Sequence, residues 1–297
     1  KIIKFNKVIL NISALGNGFF CYILSKLGVK VIIVAFAEEL TLALNAKGIS
    51  GHIKRFCIRG YKNSKAIVSV SNFARNVLIE KLNVKSDIIV IPTPVHNSKF
   101  SYINIEEKKK SEIFKILSVG RLIKRKGFDY LLKAFKIVID KGYNVELTII
   151  GNGPENILLE KFILNNSLQK FIKIYSNASD NFLISQYKSN DLFVLSNLML
   201  DNGDCEGAPN VLIEAAAFGM PSIAGEEGGT SDVVDHDHTG ILLDPKDSNN
   251  FANTIIELIN DKPRLFQMGK QAYIKANTKH SKEEAGRNFS KVIKNLN

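Results

Sequence analysis

The segment KILSVGRLIKRKGFDYLLKAFKIVIDKGYNVELTIIGNGP, residues 115–154, decides the architecture. Residues 115–119 form a short apolar run that reads as a β-strand. Residues 129–141 carry apolar positions at helical spacing. Val145–Ile150 is a second apolar strand, closed by the turn Gly151-Asn152-Gly153-Pro154. Strand, helix and strand of these lengths make a right-handed βαβ unit with parallel strands. Reading forward, a helix over 155–165 is followed by strands at Ile172–Tyr175, Leu192–Leu195, 222–224 and Gly240–Leu243. Helices lie between them, and the tail from Asn249 is largely helical. Reading backward, Val8–Ile12 is a strand and 16–27 a helix. Residues 29–36 are almost continuously apolar, as in a parallel strand buried on both faces. Residues 66–70 form another strand. A helix over 72–82 is capped by Ser71, and a strand over 88–91 is closed by Pro92 and Pro94.

A chain of 297 residues has the size of about two domains. Its 45% hydrophobic and 23% charged residues are ordinary for globular proteins. The polar stretch 97–112, with the charge run Glu106-Glu107-Lys108-Lys109-Lys110, is the best linker. The expected architecture is therefore α/β, with two Rossmann-like doubly wound domains facing a cleft. Residues 1–105 form a partial first domain and 106–297 a second, whose last helix is a candidate to pack back on the first. Ligands in such sheets bind at the carboxyl ends of the strands.

Several classes are excluded or disfavoured. The most apolar region, residues 8–27, carries Asn11, Ser13, Asn17 and Lys26 and is broken by Gly16 and Gly18, so no spanning helix is expected. No signal-peptide pattern is present, although the first residue is Lys1 rather than Met. Cys21, Cys57 and Cys205 are too scattered for a disulfide framework or a CxxC metal site. His236 and His238 form an HxH without a nearby third ligand. The net charge of +11 is uneven. Residues 1–110 hold 18 Lys+Arg against 6 Asp+Glu, and the rest hold 22 against 23. A basic first part suits an anionic partner such as nucleic acid, a membrane leaflet or an acidic substrate; biased base composition of the gene explains it equally well.

Three segments carry candidate chemistry. Val119-Gly120-Arg121-Leu122 and Lys124-Arg125-Lys126-Gly127 follow the strand of residues 115–119. Gly120 permits a sharp turn, and Arg121 and Lys126 supply a planar fork and a point charge suited to a diphosphate. Alone, this is an ordinary basic loop. Asp204-Cys205-Glu206-Gly207-Ala208-Pro209-Asn210 leads into the helical run from Val211. Pro209 fits the first helical position, and Gly219 fits the stop. The N–H groups of Asn210 and Val211 at that helix start could receive a phosphate. Glu206 before the helix and Glu214 inside it could each accept hydrogen bonds from sugar hydroxyls. Glu214 sits among Leu212, Ile213, Ala215, Ala216 and Ala217, where a carboxylate needs partners or a function. Finally, Gly228-Gly229 follows the strand at 222–224 and permits close backbone approach to a ligand. The Gly151–Pro154 turn reads as structural.

Together these pieces resemble the family 4 retaining glycosyltransferases. Glu206-x7-Glu214, then Gly219-Met220-Pro221 and Gly228-Gly229, looks like that family's EX7E region. Val119-Gly120-Arg121-Leu122 with Lys126-Gly127 is similar to its phosphate loop. Ile150-Gly151-Asn152-Gly153-Pro154 and Thr239-Gly240-Ile241-Leu242-Leu243 match two further turns and strands. In the first part, Ala66-Ile67-Val68-Ser69-Val70-Ser71 and Ile89-Val90-Ile91-Pro92-Thr93-Pro94-Val95 resemble the family less closely. Where the family usually has Thr-His-Gly, this chain reads Ala35-Phe36-Ala37-Glu38-Glu39, without the histidine. The resemblance begins at about the family's fourth strand, so an N-terminally truncated chain is expected.

The resemblance implies a GT-B fold and metal-independent transfer of a sugar from a nucleoside diphosphate sugar, with retention. The donor is a co-substrate, and no cofactor is implied. Glu206, Arg121 and Lys126 take catalytic roles. Gly120, Arg121, Lys126, Glu206, Gly207, Ala208, Pro209, Asn210, Val211, Glu214, Gly228 and Gly229 bind donor. Glu206 holds the transferred sugar and Glu214 the ribose. The implied acceptor is a glycan or lipid-linked glycan of cell-envelope polysaccharide or glycolipid synthesis, with a cytoplasmic location, peripheral contact with an anionic membrane and no nucleic-acid partner. The alternatives are a non-catalytic nucleotide-sugar-binding remnant, a GT-B epimerase, and a hydrolase with paired carboxylates, which gives Arg121 and Lys126 no task.

Overall fold

A computed structural model describes residues 8–12, 14–95 and 112–295, with side chains from residue 19 onward. The charge run 106–110 lies outside the described residues. The chain divides into two compact units. One comprises the N-terminal segment to Pro94, Met199–Ala208 and the segment from His280 onward. The other extends to Leu198 and continues through Pro209–Lys279.

The first unit is built on four parallel strands, β1 (Val8–Ile12), β2 (Lys30–Ala35), β3 (Ala66–Ser69) and β4 (Ile88–Val90), paired in sequential order. Alternation along β2 serves two cores. Val31, Ile33 and Ala35 join a cluster with Cys21, Leu40, Ala43, Ile58 and Tyr61. These come from α1 (Ala14–Lys26), α2 (Ala37–Asn45) and α3 (Gly48–Asn63). Ile32 and Val34 pack on the other face with Val68, Ile91, Ala285 and Val292, the last two from the C-terminal helix over Lys282–Lys294. Period-2 side chains on a strand reach opposite faces, so a continuous apolar run is what burial on both sides requires.

The helix expected over 72–82 changes form. It starts as α4 (Asn72–Asn76), with Ser71 Oγ accepting from the Ala74 N–H at 3.1 Å, and widens into a π-turn over Val77–Lys81. None of Cys21, Cys57 and Cys205 forms a disulfide.

The second unit holds six parallel strands: β5 (Phe114–Val119), β6 (Val145–Ile150), β7 (Ile172–Tyr175), β8 (Leu192–Leu195), β9 (Ser222–Gly225) and β10 (Gly240–Leu243). Their spatial order is β10-β9-β8-β5-β6-β7. The connecting helices are α5 (Phe128–Asp140), α6 (Asn156–Asn165), α7 (Asp180–Ser189), α8 (Asn210–Ala217) and the short α9 (Thr230–Val233). Then come α10 (Ser248–Asn260) and α11 (Lys262–Lys279), after which the C-terminal helix α12 (Lys282–Lys294) belongs to the first unit. The largest core lies here, with Phe128, Leu132 and Phe135 of α5 against Ile116, Leu147, Ile149 and Phe251.

The unit division differs from the sequence boundary. Residues 106–297 read as one domain, yet Met199–Ala208 groups with the first unit. Side-chain size explains this. Cys205 Sγ lies 3.6 Å from Thr41 Oγ1 of α2, and a Cβ at Gly203 would stand 2.8 Å from the Thr41 carbonyl oxygen. A Cβ at Gly207 would stand 3.1 Å from the Ala37 nitrogen. The small residues let this loop lie flat on α2.

Candidate nucleotide-binding site

In the second sheet the chain builds outward from β5 in both directions, through β6 and β7 on one side and through β8, β9 and β10 on the other. The order reverses between β5 and β8. All pairings are parallel, so the loops after these strands share one edge. The crevice outside the carboxyl ends of β5 and β8 is where doubly wound sheets bind ligands.

The loop after β5 supplies the cations. Arg121 is exposed, whereas Lys126 is only 7% exposed. The Lys126 stem crosses Gly120, where a Cβ would stand 3.4 Å from its Cε and 3.7 Å from its Nζ. The absent side chain at Gly120 thus gives the lysine room to lie over the strand end. Residues Lys124–Lys126 form one 3-10 turn, ended by Gly127 in the left-handed region at φ 64°. This turn is tied to the loop after β8. Ser196 Oγ donates to the Gly127 carbonyl at 2.5 Å, and the Leu198 N–H donates to the Arg125 carbonyl at 2.9 Å. On the other side, Leu122 N–H donates to the Asn152 carbonyl at 2.9 Å. A Cβ at Gly151 would lie 1.8 Å from the Gly120 oxygen. The Gly151–Pro154 turn therefore braces the basic loop, in keeping with a structural reading.

The loop after β9 is held from β8 as well. Buried Asn197 donates from Nδ2 to Thr230 Oγ1 at 2.7 Å, and Thr230 Oγ1 donates to the Glu227 carbonyl at 3.0 Å. These bonds bracket Gly228 and Gly229 and set their backbone at the carboxyl end of the sheet.

Helix α8 leads back from this edge, so its first turn faces it. Pro209 is the N-cap, at φ −66°, rather than the first helical residue as its sequence position suggested. The helix ends in the expected place, with Gly219 N–H bonded to Ala216 O and Met220 N–H to Ala215 O. The first N–H groups of any helix lack intrahelical acceptors, and the macrodipole adds partial positive charge there. Asn210 is exposed and Val211 partly so.

Glu214 is half-buried on α8. Its Oε2 accepts a 2.8 Å hydrogen bond from the Tyr187 hydroxyl. Burial, followed by the negative charge of Glu214, holds the Tyr187 phenol well above its ordinary pKa, so it remains a donor. Sequence reasoning missed Tyr187, Ser196 and Asn197. Their local sequence carries no distinguishing signal.

Of the sequence-predicted site residues, the second unit contains Gly120, Arg121, Lys126, Pro209, Asn210, Val211, Glu214, Gly228 and Gly229. Glu206, Gly207 and Ala208 belong to the first unit, and the chain crosses between units at Ala208–Pro209. Glu206 is partly exposed on the loop that lies on α2. Among the described residues there is no group of three or more His, Cys, Asp or Glu able to hold a metal ion. His236 Nδ1 instead accepts from the Leu242 N–H at 3.0 Å.

A doubly wound parallel sheet whose strand order reverses between β5 and β8 defines a Rossmann-like unit. Residues 102–275 match the family model for Glycosyl transferases group 1, well over half of the chain, and the protein belongs to that family. The chain is 25% identical over 234 residues to an amylovoran biosynthesis glycosyltransferase of Erwinia amylovora, covering 75% of this chain and 58% of that one. It is also 25% identical over 210 residues to a GDP-mannose-dependent phosphatidylinositol monomannoside mannosyltransferase of Mycobacterium tuberculosis, covering 68% and 54%. The chain thus spans a little over half the length of these curated relatives. The solved structure of Anabaena HepE in complex with UDP superposes with a TM-score of 0.77 at 16% identity, covering 97% of this chain and 79% of that one. The fold is therefore GT-B, with two Rossmann-like sheets.

Proposed function

We propose that the protein is a family 4 retaining glycosyltransferase that moves a sugar from a nucleoside diphosphate sugar to a glycan or lipid-linked acceptor, without a metal or other cofactor. The observation that carries this reading is topological: the loop with Arg121 and Lys126 follows β5, and α8 connects β8 to β9, on either side of the strand-order reversal between β5 and β8. When the glycosidic bond breaks, negative charge accumulates on the leaving diphosphate. Fixed cations and backbone N–H groups aimed at that charge stabilise the transition state more than the ground state. Glu214 would accept from the ribose hydroxyls. Glu206 would hold the transferred sugar, an assignment resting on its place in the Glu206-x7-Glu214 pattern. The backbone at Gly228 and Gly229 would complete donor contact. The leaving phosphate itself would take the acceptor's proton, so no separate general base is assigned. The HepE complex with UDP and the mannosyltransferase's GDP-mannose dependence favour a nucleotide-sugar donor.

The test is incubation with a panel of nucleoside diphosphate sugars, following nucleoside diphosphate release and the anomeric configuration of the product by NMR. Release from one donor with retention is expected. Inversion, or no release from any donor, would contradict the proposal. Binding without turnover would support a binding remnant, and an epimerised sugar an epimerase.

On the acceptor side we propose peripheral contact with an anionic membrane, at the inner face of the cell membrane. No described helix is long and apolar enough to cross a membrane. Helices α1 and α3 pack together, with the Phe19 and Phe56 rings 5.4 Å apart. Ile49, Ile53 and Phe56 are exposed at i, i+4, i+7 spacing on α3, as are Phe20 and Ile23 on α1 and Leu27 just after it. Neither helix has an Asp or Glu, while α3 carries Lys54, Arg55, Arg59 and Lys62. Apolar residues flanked only by cations match an anionic lipid surface. Binding to phosphatidylcholine vesicles is expected to need added phosphatidylglycerol, to weaken with salt, and to fall several-fold in Ile53→Glu. Binding indifferent to lipid charge and salt would contradict the contact.

A further inference from the structure

We infer that Tyr187 is a positioning residue that fixes the carboxylate of Glu214 for recognition of the ribose diol; this rests on the donor-site reading proposed above. Tyr187 is the buried residue of α7, at 1% exposure. Its ring is stacked against two others, with Phe218 at 5.3 Å and 13° and Phe193 at 6.1 Å and 22°. Phe218 caps the very helix that carries Glu214, and Phe193 lies in β8, beside the switch point. The ring is thus packed against β8 and against the C-terminal end of α8. Its hydroxyl ends 2.8 Å from Glu214 Oε2.

A glutamate has three side-chain torsions, and a half-buried one that must accept from a ligand gains affinity when they are fixed in advance. A carboxylate offers about four acceptor positions. The Tyr187 hydroxyl takes one and orients the rest. A hydrogen bond to an ionised acceptor is roughly twice as strong as a neutral one. The elevated phenol pKa is in keeping with a hydroxyl that stays protonated. Its hydroxyl donates to Glu214 and its ring stacks on Phe193 and Phe218.

The experiment compares the Kd of the cognate ribonucleoside diphosphate with that of its 2′,3′-dideoxy counterpart in wild type, Tyr187→Phe, Glu214→Ala and the double variant. Phenylalanine keeps the ring stack and removes only the hydroxyl. Wild type is expected to prefer the ribonucleotide by tenfold or more. In Tyr187→Phe that preference should shrink severalfold, with the dideoxy affinity unchanged, and Tyr187→Phe should add nothing in the Glu214→Ala background. A preference present in wild type and undiminished in Tyr187→Phe, or a further loss of preference in the double variant, would overturn the positioning role. A wild type that binds both nucleotides equally would instead overturn the ribose role of Glu214, and the inference with it. A purely structural tyrosine would lower the melting temperature and weaken both nucleotides alike, which also overturns the proposal.

Discussion

Gly127→Ala is expected to lower the melting temperature of the second unit by roughly 4–20 °C. Two costs add. Gly127 sits at φ 64° and ψ 25°, a left-handed conformation that costs an L-residue about 1–2 kcal/mol. A Cβ there would also stand 1.9 Å from the Ser196 carbonyl oxygen and 2.9 Å from its carbon. Those atoms are backbone, so the contact cannot be relieved by turning a side chain. Forcing extra volume into a close-packed region costs about 1–3 kcal/mol. For a domain of this size each kcal/mol moves the melting temperature by about 2–4 °C. The damage falls at the switch point, because the Ser196 Oγ bond to the Gly127 carbonyl and the Leu198 bond to the Arg125 carbonyl join the β5 and β8 loops here. Thermal unfolding of the variant beside wild type checks this; a shift below about 2 °C would show that the two loops are not in close backbone contact.

Lys126→Met is the second large effect, and it falls on ligand affinity. Methionine keeps much of the aliphatic stem that crosses Gly120, so the fold should survive. What is lost is a cation held 93% out of solvent, since Lys126 is 7% exposed. A hydrogen bond to a charged group contributes about 1.5–3 kcal/mol, which converts to roughly a 10- to 150-fold loss in nucleoside diphosphate affinity. Turnover should fall further, by about 100- to 1,000-fold, if the charge acts mainly on the departing diphosphate. Arg121 is exposed, so its removal should cost less, about tenfold. Affinity for the corresponding nucleoside, which lacks phosphates, should be unaffected in either variant.

The strands of the second unit were legible as short runs rich in Val, Ile and Leu alternating with longer helical stretches, unbroken in β8 but interrupted by Glu146 and Thr148 in β6 and by Lys173 in the edge strand β7. Val145–Ile150, Ile172–Tyr175, Leu192–Leu195 and Gly240–Leu243 fall where the sequence places them. The helices of the first unit were harder. Helix α3 includes Gly48, Gly51 and Gly60, poor helix formers, and its inward face of Gly51, Ile58 and Tyr61 is apparent only once α1 and α2 are in place. The π-turn at Val77–Lys81 follows an ordinary helical pattern, and nothing local announces it.

The basic loop of the site was readable for a local reason: Gly120, Arg121, Lys126 and Gly127 follow a strand directly. Tyr187 was not, because it looks like any apolar position of an amphipathic helix. Its role comes from Phe193, Phe218 and Glu214, which the fold brings to it from 6, 31 and 27 residues away. The attachment of Met199–Ala208 to the first unit was also hidden. It depends on Gly203, Cys205 and Gly207 being small enough to lie against α2, a surface that does not exist until the chain has folded.

The central claim is that the carboxyl edge of β5 and β8 binds a nucleoside diphosphate through Arg121 and Lys126. It is tested most directly by calorimetric titration of the chain with UDP, GDP and ADP, in parallel with Arg121→Ala and Lys126→Met. One nucleotide is expected to bind saturably to wild type and at least tenfold more weakly to Lys126→Met, with its base naming the donor class. Equal affinity in wild type and both folded variants, or no binding of any of the three nucleotides by folded wild type, would contradict the claim.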